Sequence, residues 1–237
     1  MVQIVRRPRS YVRVSGPDAE NYLQRMVSND VAALDVGDRC DALLLTAKSR
    51  VIAPLVVLRR GADDFLILTE PELGERVRAE LTRFRFAAKA EIEPEEHESW
   101  LVLGGEEALD ERPAGEEVDE EAYEHWRVEV GIPRWGREID DSILPAEAGL
   151  TETHVSFTKG CYPGQEPIAR LHYRGKVNRR LRRLVLEGEP TSDELALNGK
   201  VVGRLTSRAG ERALGYVRAE VPEDAELAAG AARARLD

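Results

Sequence analysis

The sequence contains few of the residues that build metal sites or covalent cross-links. It has two cysteines, Cys40 and Cys161, and four scattered histidines, with no C-x-x-C or H-E-x-x-H pattern. These absences argue against a disulfide framework, a structural zinc site and an iron–sulfur cluster held by this chain alone. We therefore expect no metal site made by this chain.

Long apolar runs and an excess of positive charge are also missing. No stretch reaches membrane-spanning length, and the first residues, "MVQIVRRPRSYVRV", lack the apolar core of a signal peptide. The 34 basic against 44 acidic residues leave a net charge of −10, which disfavours nucleic acid or an anionic membrane as a partner. The sequence predicts a cytoplasmic protein that binds neither.

Alternating helix and strand patterns dominate the first ninety residues. Apolar residues at helical spacing follow 15–18 and 69–72, two stretches with capping-box spacing. Three strand-like runs lie between them, at 42–46, 51–58 and 65–68. This order predicts an α+β layer with helices on one face of a mostly antiparallel sheet.

The remainder divides into an acidic stretch, a helix and a strand-rich end. Residues 91–121 are predicted to be solvated loop except for a strand at 100–104. A third helix near 122–130 ends where Gly131 follows it. Short strands with an Asn198-Gly199 turn predict a small C-terminal barrel or sandwich. The predicted domains are 1–90, 91–178 and 179–237.

One cysteine lies in a distinctive loop, "FTKGCYPGQEPIAR", residues 157–170. Gly160 and Gly164 permit unusual backbone conformations, and Pro163 stiffens the turn. The cation of Lys159 favours the thiolate form of Cys161. From the residues alone, this cysteine is either a reactive thiol or a small inert residue of the core.

The most basic segment of the chain follows this loop directly. "ARLHYRGKVNRRLRR", residues 169–183, holds seven Lys and Arg residues. Three interpretations stay open: the solvated face of a strand, a nucleic-acid patch, or an anion site for a carboxylated small molecule. Arginine forks suit carboxylates in the last case.

The stretch "KGCYPGQE" resembles the signature of the YgfZ family, the folate-binding relatives of the glycine-cleavage T-protein. That family is also related to a mitochondrial iron–sulfur assembly factor. Further similar stretches cover nearly the whole chain, at 14–31, 43–57, 126–150 and 198–217.

The resemblance implies a fold, a cofactor and a role. The fold would be α+β, with two pseudo-related domains containing antiparallel sheets and a small C-terminal β-barrel around a central pocket. Tetrahydrofolate or a derivative would bind in that pocket. The role would be in iron–sulfur cluster assembly or repair, with folate and, transiently, iron–sulfur client or assembly proteins as partners.

Individual site residues also follow from the resemblance. Cys161 would be the catalytic, reactive residue, carrying sulfur, a one-carbon unit or cluster iron. Glu129 would recognise the pterin ring, because a carboxylate accepts two parallel N–H bonds from an aminopyrimidine edge. The further candidates for binding folate are Trp126, Lys159, Tyr162, Gln165, Glu166, Arg170 and Arg174.

One departure from the T-protein pattern bears on catalysis. The T-protein has an aspartate pair where this chain has Ala53-Pro54, and neither residue can move a proton. General acid–base help is typically worth ~10²–10⁴-fold in rate, so whether the protein is an enzyme stays open. The alternatives to the iron–sulfur role are a folate-dependent one-carbon transferase and a non-catalytic folate-binding module.

Overall fold

The computed structural model describes residues 1–237 and contains fifteen strands and five helices. The first part contains β1 (Gln3–Arg7), β2 (Ser10–Ser15), α1 (Ala19–Met26), β3 (Arg39–Leu45), β4 (Val51–Gly61), β5 (Asp64–Thr69), α2 (Gly74–Arg83), β6 (Glu91–Glu95), β7 (Ser99–Val102), β8 (Glu107–Leu109) and β9 (Glu116–Glu117). The second contains α3 (Glu120–Val130), α4 (Thr151–His154), α5 (Gln165–Arg174), β10 (Arg179–Glu187), β11 (Glu194–Leu197), β12 (Lys200–Ala209), β13 (Arg212–Arg218), β14 (Glu226–Ala229) and β15 (Ala232–Leu236). No helix has both the length and the apolar character that crossing a membrane would require.

The first sheet has the order β3-β4-β5-β2-β6, and all its strands are antiparallel. Alternation along β5 sends Phe65 and Ile67 into the core that α1 and α2 share, while Leu66 and Leu68 pack on the opposite face. Helices on one face of an antiparallel sheet are therefore confirmed.

Neither predicted capping box caps its helix. The Asp18 carboxylate accepts a hydrogen bond from the backbone N–H of Lys89 at 2.7 Å instead of from its own helix. The Thr69 hydroxyl donates to the carbonyl of Pro54 at 2.9 Å. Each of these two side chains bonds instead to a residue distant in the sequence. The spacing of residues in the sequence does not reveal such a contact.

The strand predicted at 100–104 is present as β7, but the loop prediction for the rest of 91–121 is wrong, because three further short strands, β6, β8 and β9, form there. Strand β6 pairs with β2, and the second sheet has the order β8-β7-β1-β9. The acidic side chains lie beside arginines of other strands, as Glu95 does beside Arg60 at 2.7 Å. The two sheets do not separate at residue 90, because β1 belongs to the second sheet and β6 belongs to the first.

The C-terminal strands close into a six-stranded barrel in the order β10-β13-β12-β11-β14-β15, with β15 pairing back to β10. The turn between β11 and β12 has positive φ at both Asn198 and Gly199, 51° and 78°. Positive φ at both central residues is what a two-residue hairpin favours. The predicted fold class, α+β with antiparallel sheets and a C-terminal barrel, is thus confirmed.

A buried ion pair fastens the barrel to the rest of the molecule. Arg127 of α3 donates to Glu138 at 3.0 Å, and neither side chain is exposed to solvent. Ser207 of β12 accepts from Arg127 at 2.7 Å and donates to Glu138 at 2.6 Å. Tyr216 of β13 donates to the backbone carbonyl of Glu138 at 2.8 Å. Two barrel strands are therefore joined to one ion pair.

We expect Glu138→Ala to lower the free energy of unfolding by about 3–5 kcal/mol, because it leaves the buried guanidinium of Arg127 with only the partly exposed Glu124 as an ionic partner. Urea denaturation checks this. The matched control is Glu75→Ala, which removes an exposed carboxylate paired with Arg78 and should leave the transition unchanged. Equal effects of the two substitutions would show that the buried pair has no special role.

Candidate functional site

A central cavity of about 550 Å³ lies between the first sheet, the end of α3, the segment around α4 and the barrel. Its volume falls within the range of small-molecule sites, about 300–1,000 Å³. Strand β4 contributes Pro54, Leu55 and Val56 to the wall, and β10 contributes Arg182 and Arg183 from the barrel. The cavity therefore forms only when the barrel is docked.

Buried charges line part of the cavity wall. Arg7 is only 3% exposed, and its guanidinium lies 4.1 Å from the ring centre of Tyr123. Glu70 lies 3.5 Å from Arg7 and 3.1 Å from Arg9, while Arg9 also pairs with Glu107 at 2.8 Å. The Nε atom of Arg7 has no hydrogen-bond partner within the protein. A buried donor without a partner favours a polar ligand here.

A second polar group on the cavity wall contains a histidine and an aspartate. Asp41 of β3 and His154 of α4 both line the cavity. Burial lowers the pKa of His154, and the negative charge of Asp41 acts in the opposite direction. Nδ1 of His154 lies 2.7 Å from the hydroxyl of Thr153. These are titratable groups close to Pro54, where the T-protein pattern would place an aspartate.

The cysteine loop is anchored on its N-terminal side by Lys159. Its Nζ donates to the carbonyls of Val27 at 2.8 Å and Asn29 at 2.6 Å, and the side chain is buried. Burial lowers the pKa of Lys159 to about 8. The motif lysine therefore holds backbone in place and does not face the central cavity.

On the C-terminal side, the loop is held by its glycine and tyrosine. Gly164 has a φ of +83°, and a Cβ atom there would lie 2.5 Å from the carbonyl oxygen of Thr46. Ser49 donates to the carbonyl of Gly164 at 2.6 Å. Tyr162 is buried with its hydroxyl unpaired, and burial raises its pKa to about 12. Between these anchors, Cys161 is a free cysteine exposed to solvent.

The basic segment after the loop begins in a helix, α5, and continues in strand β10, so the strand interpretation holds for residues 179–183 but not for residues 169–174. Ile168 packs into the core with Tyr162 and the barrel residue Tyr216, and the helix ends before Gly175. Glu166 lies in the first turn and Arg174 in the last, which suits the helix dipole. Ile168 and Leu171 stand three residues apart, a helical spacing that the sequence interpretation missed.

The structure does not bring the predicted site residues into one pocket. Arg170 and Arg174 line a second cavity of about 360 Å³, between α5 and residues 144–146. Trp126 is half-buried, 6.1 Å from the ring of Tyr123. The remaining candidates line neither cavity: Glu129, Lys159, Cys161, Tyr162, Gln165 and Glu166.

Glu129, the predicted pterin ligand, is exposed at the end of α3. Its own carbonyl accepts a hydrogen bond from Arg183 at 3.4 Å, and Arg183 lines the central cavity. The carboxylates that do line the cavity are Asp41 and Glu70, which the sequence interpretation missed. Burial of Glu70 depends on arginines about sixty residues away, and no local pattern indicates such a contact.

Known proteins are similar to the C-terminal barrel and to the chain as a whole. Residues 178–237 match the family described as CAF17, C-terminal beta-barrel domain. The chain is 26% identical to the iron–sulfur cluster assembly factor IBA57, mitochondrial, of Mus musculus, over 90% of this chain and 76% of that protein. It is 27% identical to the tRNA-modifying protein YgfZ of Vibrio vulnificus, over 86% of this chain and 76% of that protein.

A solved structure shows the same fold. The glycine cleavage system aminomethyltransferase T from Bartonella henselae superposes with a TM-score of 0.84 at 18% identity, covering 98% of this chain and 84% of that one. Fold and cavity therefore define the class, an α+β protein of the glycine-cleavage T-protein type. Within that fold, the chain is similar to YgfZ and IBA57 proteins over most of its length, the resemblance that its signature predicted.

The buried lysine predicts a specific dependence of stability on pH. Because the pKa of Lys159 falls from its usual 10.5 to about 8, the unfolded state binds more protons between these pH values. The free energy of unfolding should therefore rise from pH 8 to 10.5 through this group. Relative to Lys159→Met, the wild type should gain stability over that window in denaturant titrations. The control variant Lys89→Met lacks an exposed lysine and should gain stability over that window as the wild type does. Parallel curves of stability against pH for all three proteins would refute the effect.

Proposed function

We propose that this protein acts in iron–sulfur cluster assembly or repair, with Cys161 as the reactive residue. The observation that carries the proposal is an exposed thiol on a loop whose two sides are fixed by buried contacts of Lys159 and Gly164. A fixed backbone presents the thiol in one position, which a reactive group needs. The relatives' names, an iron–sulfur cluster assembly factor among them, support the same role.

The other cysteine is unsuited to this role. Cys40 is half-buried against the first core, and burial raises its pKa to about 12. The thiolate is the form that attacks electrophiles and binds metals. A cluster usually needs four ligands, so Cys161 would contribute one ligand to a cluster whose other ligands a partner supplies. A reducing compartment such as the cytoplasm suits a protein that depends on a free thiol.

A reduced folate fits the central cavity in size and charge. Arg182 and Arg183 would hold the carboxylates of its glutamate tail in exchange for their present partners, Glu223 and Asp237, and Tyr123 provides an aromatic wall. The unpaired Nε of Arg7 offers a buried donor. When bound, a reduced folate supplies one-carbon chemistry. Glu129 would then contact the ligand from the outer edge, beside Arg183.

A second candidate is a folate-dependent one-carbon transferase. Pro54 lines the cavity without acid or base function, but Asp41 and His154 line it too and can move protons. Turnover of an N-methyl or aminomethyl substrate with tetrahydrofolate would favour this activity, provided that it is lost in His154→Ala. We rank it second because the motif cysteine has no part in it.

We expect Cys161→Ser to abolish support of iron–sulfur enzymes without changing the fold, because the exposed thiol makes no packing contact that serine would lose. The measurement is iron–sulfur enzyme activity in cells lacking the native gene. The matched control, Cys40→Ser, removes the other free cysteine and should restore activity as the wild type does. Full rescue by Cys161→Ser would overturn the role of the cysteine.

Calorimetry with tetrahydrofolate tests the cavity. Ile132→Trp enlarges a side chain that lines the cavity and is 39% exposed, and should weaken binding by at least about tenfold through occlusion. Val201→Trp adds the same bulk at a 50% exposed barrel position and should bind normally. Equal affinities for both variants would place the ligand elsewhere. Glu129→Ala should weaken binding; an unchanged affinity would transfer its role to Asp41 or Glu70.

A further inference from the structure

An aromatic cluster lies on the surface between the cysteine loop and α5. The ring of Phe157 stacks on His172 with centroids 3.9 Å apart, and Tyr173 meets both rings edge-on. Tyr173 is 68% exposed. Exposed aromatic groups next to a functional residue are typical of binding surfaces, and nothing in the proposed chemistry uses this cluster.

Unpaired cations surround the cluster. Arg170, Arg174 and Lys176 are exposed and make no ion pair, whereas three of the four arginines in 179–183, all except Arg180, are paired with carboxylates. No acidic residue occurs between Glu166 and Glu187, in a chain whose net charge is −10. This is a local positive surface on an acidic protein.

The geometry of α5 places its two arginines and Tyr173 on one side. Ile168 is the buried position of the helix. At 100° per residue, Arg170, Tyr173 and Arg174 all project from the opposite side. Arg170 and Arg174 also border the second cavity, whose other walls include Pro145 and Leu171. The surface thus combines exposed aromatics, free guanidinium groups and an apolar recess, the composition of a protein–protein interface.

We propose that this surface, the α5 face (Phe157, Arg170, His172, Tyr173, Arg174 and Lys176), docks an acidic protein that presents its cluster or cluster ligands to Cys161. The inference rests on the proposed function for the role of the thiol. Cys161 lies four residues before α5, so a partner seated on the α5 face lies beside it. Charge complementarity selects an acidic surface. A long RNA would be repelled by the acidic remainder of the chain.

The test places a photo-crosslinking residue at the centre of the surface, as Tyr173→p-benzoylphenylalanine, in cells lacking the native gene. We expect a crosslink to a protein whose crosslinked peptide is rich in Asp and Glu. Adding Arg170→Glu and Arg174→Glu should reduce the crosslink at least about tenfold, because like charges oppose docking. The matched control adds Arg137→Glu and Arg204→Glu, two exposed arginines without ion pairs beside a different cavity, and should keep the crosslink.

Thermal melting checks that the variants fold. The milder double substitution Arg170→Gln and Arg174→Gln removes the two charges without reversing them, and should also weaken the crosslink. Crosslinks to RNA, no crosslink, or a crosslink that survives charge reversal at α5 would each overturn the proposal. Cys161→Ser separates the two hypotheses. If docking behaves as expected while Cys161→Ser retains iron–sulfur enzyme activity, the α5 face stands and the proposed function fails. If Cys161→Ser loses that activity but no α5-dependent crosslink forms, the proposed function stands and the α5 face fails.

Discussion

The central cavity depends on one buried ion pair. Arg127 and Glu138 connect α3 and the following turn to β12 and β13, through Ser207 and Tyr216. Isolated charges are costly to bury, so the arrangement is favourable only when all partners are present. Barrel docking and cavity formation are therefore one event, because the barrel closes a space that the first sheet leaves open.

Sequence patterns predicted those parts of the fold that depend on local periodicity. The helices and strands of the first ninety residues and the Asn198-Gly199 hairpin follow from spacing and turn chemistry. The acidic strands β6, β8 and β9 did not, because β6 and β9 pair with β2 and β1, more than seventy residues away, and β8 joins the sheet only through β7. Charge made residues 91–121 resemble a loop, and the compensating arginines are far away in sequence.

The candidate site could be predicted from the sequence only where a sequence motif marks it. The signature indicated the resemblance to YgfZ and IBA57 proteins and singled out the exposed Cys161, while the cavity wall formed by Arg7, Arg9 and Glu70 was missed. A buried arginine looks like an exposed one in a sequence, because only the tertiary fold decides whether its carboxylate partner is near. The assignment of α5 failed for a different reason: its apolar residues do stand at helical spacing, but the run of cations after Ile168 was interpreted as the face of a strand.

The signature "KGCYPGQE" contains two kinds of information. Lys159, Tyr162 and Gly164 satisfy backbone and packing requirements, and the tight approach to Thr46 excludes any side chain at Gly164. Cys161 satisfies no such requirement. A relative that keeps the other positions but replaces the cysteine would therefore build the same loop with nothing reactive on it. Under the proposed function, the thiol alone would separate active members from silent copies of the scaffold in a genome survey.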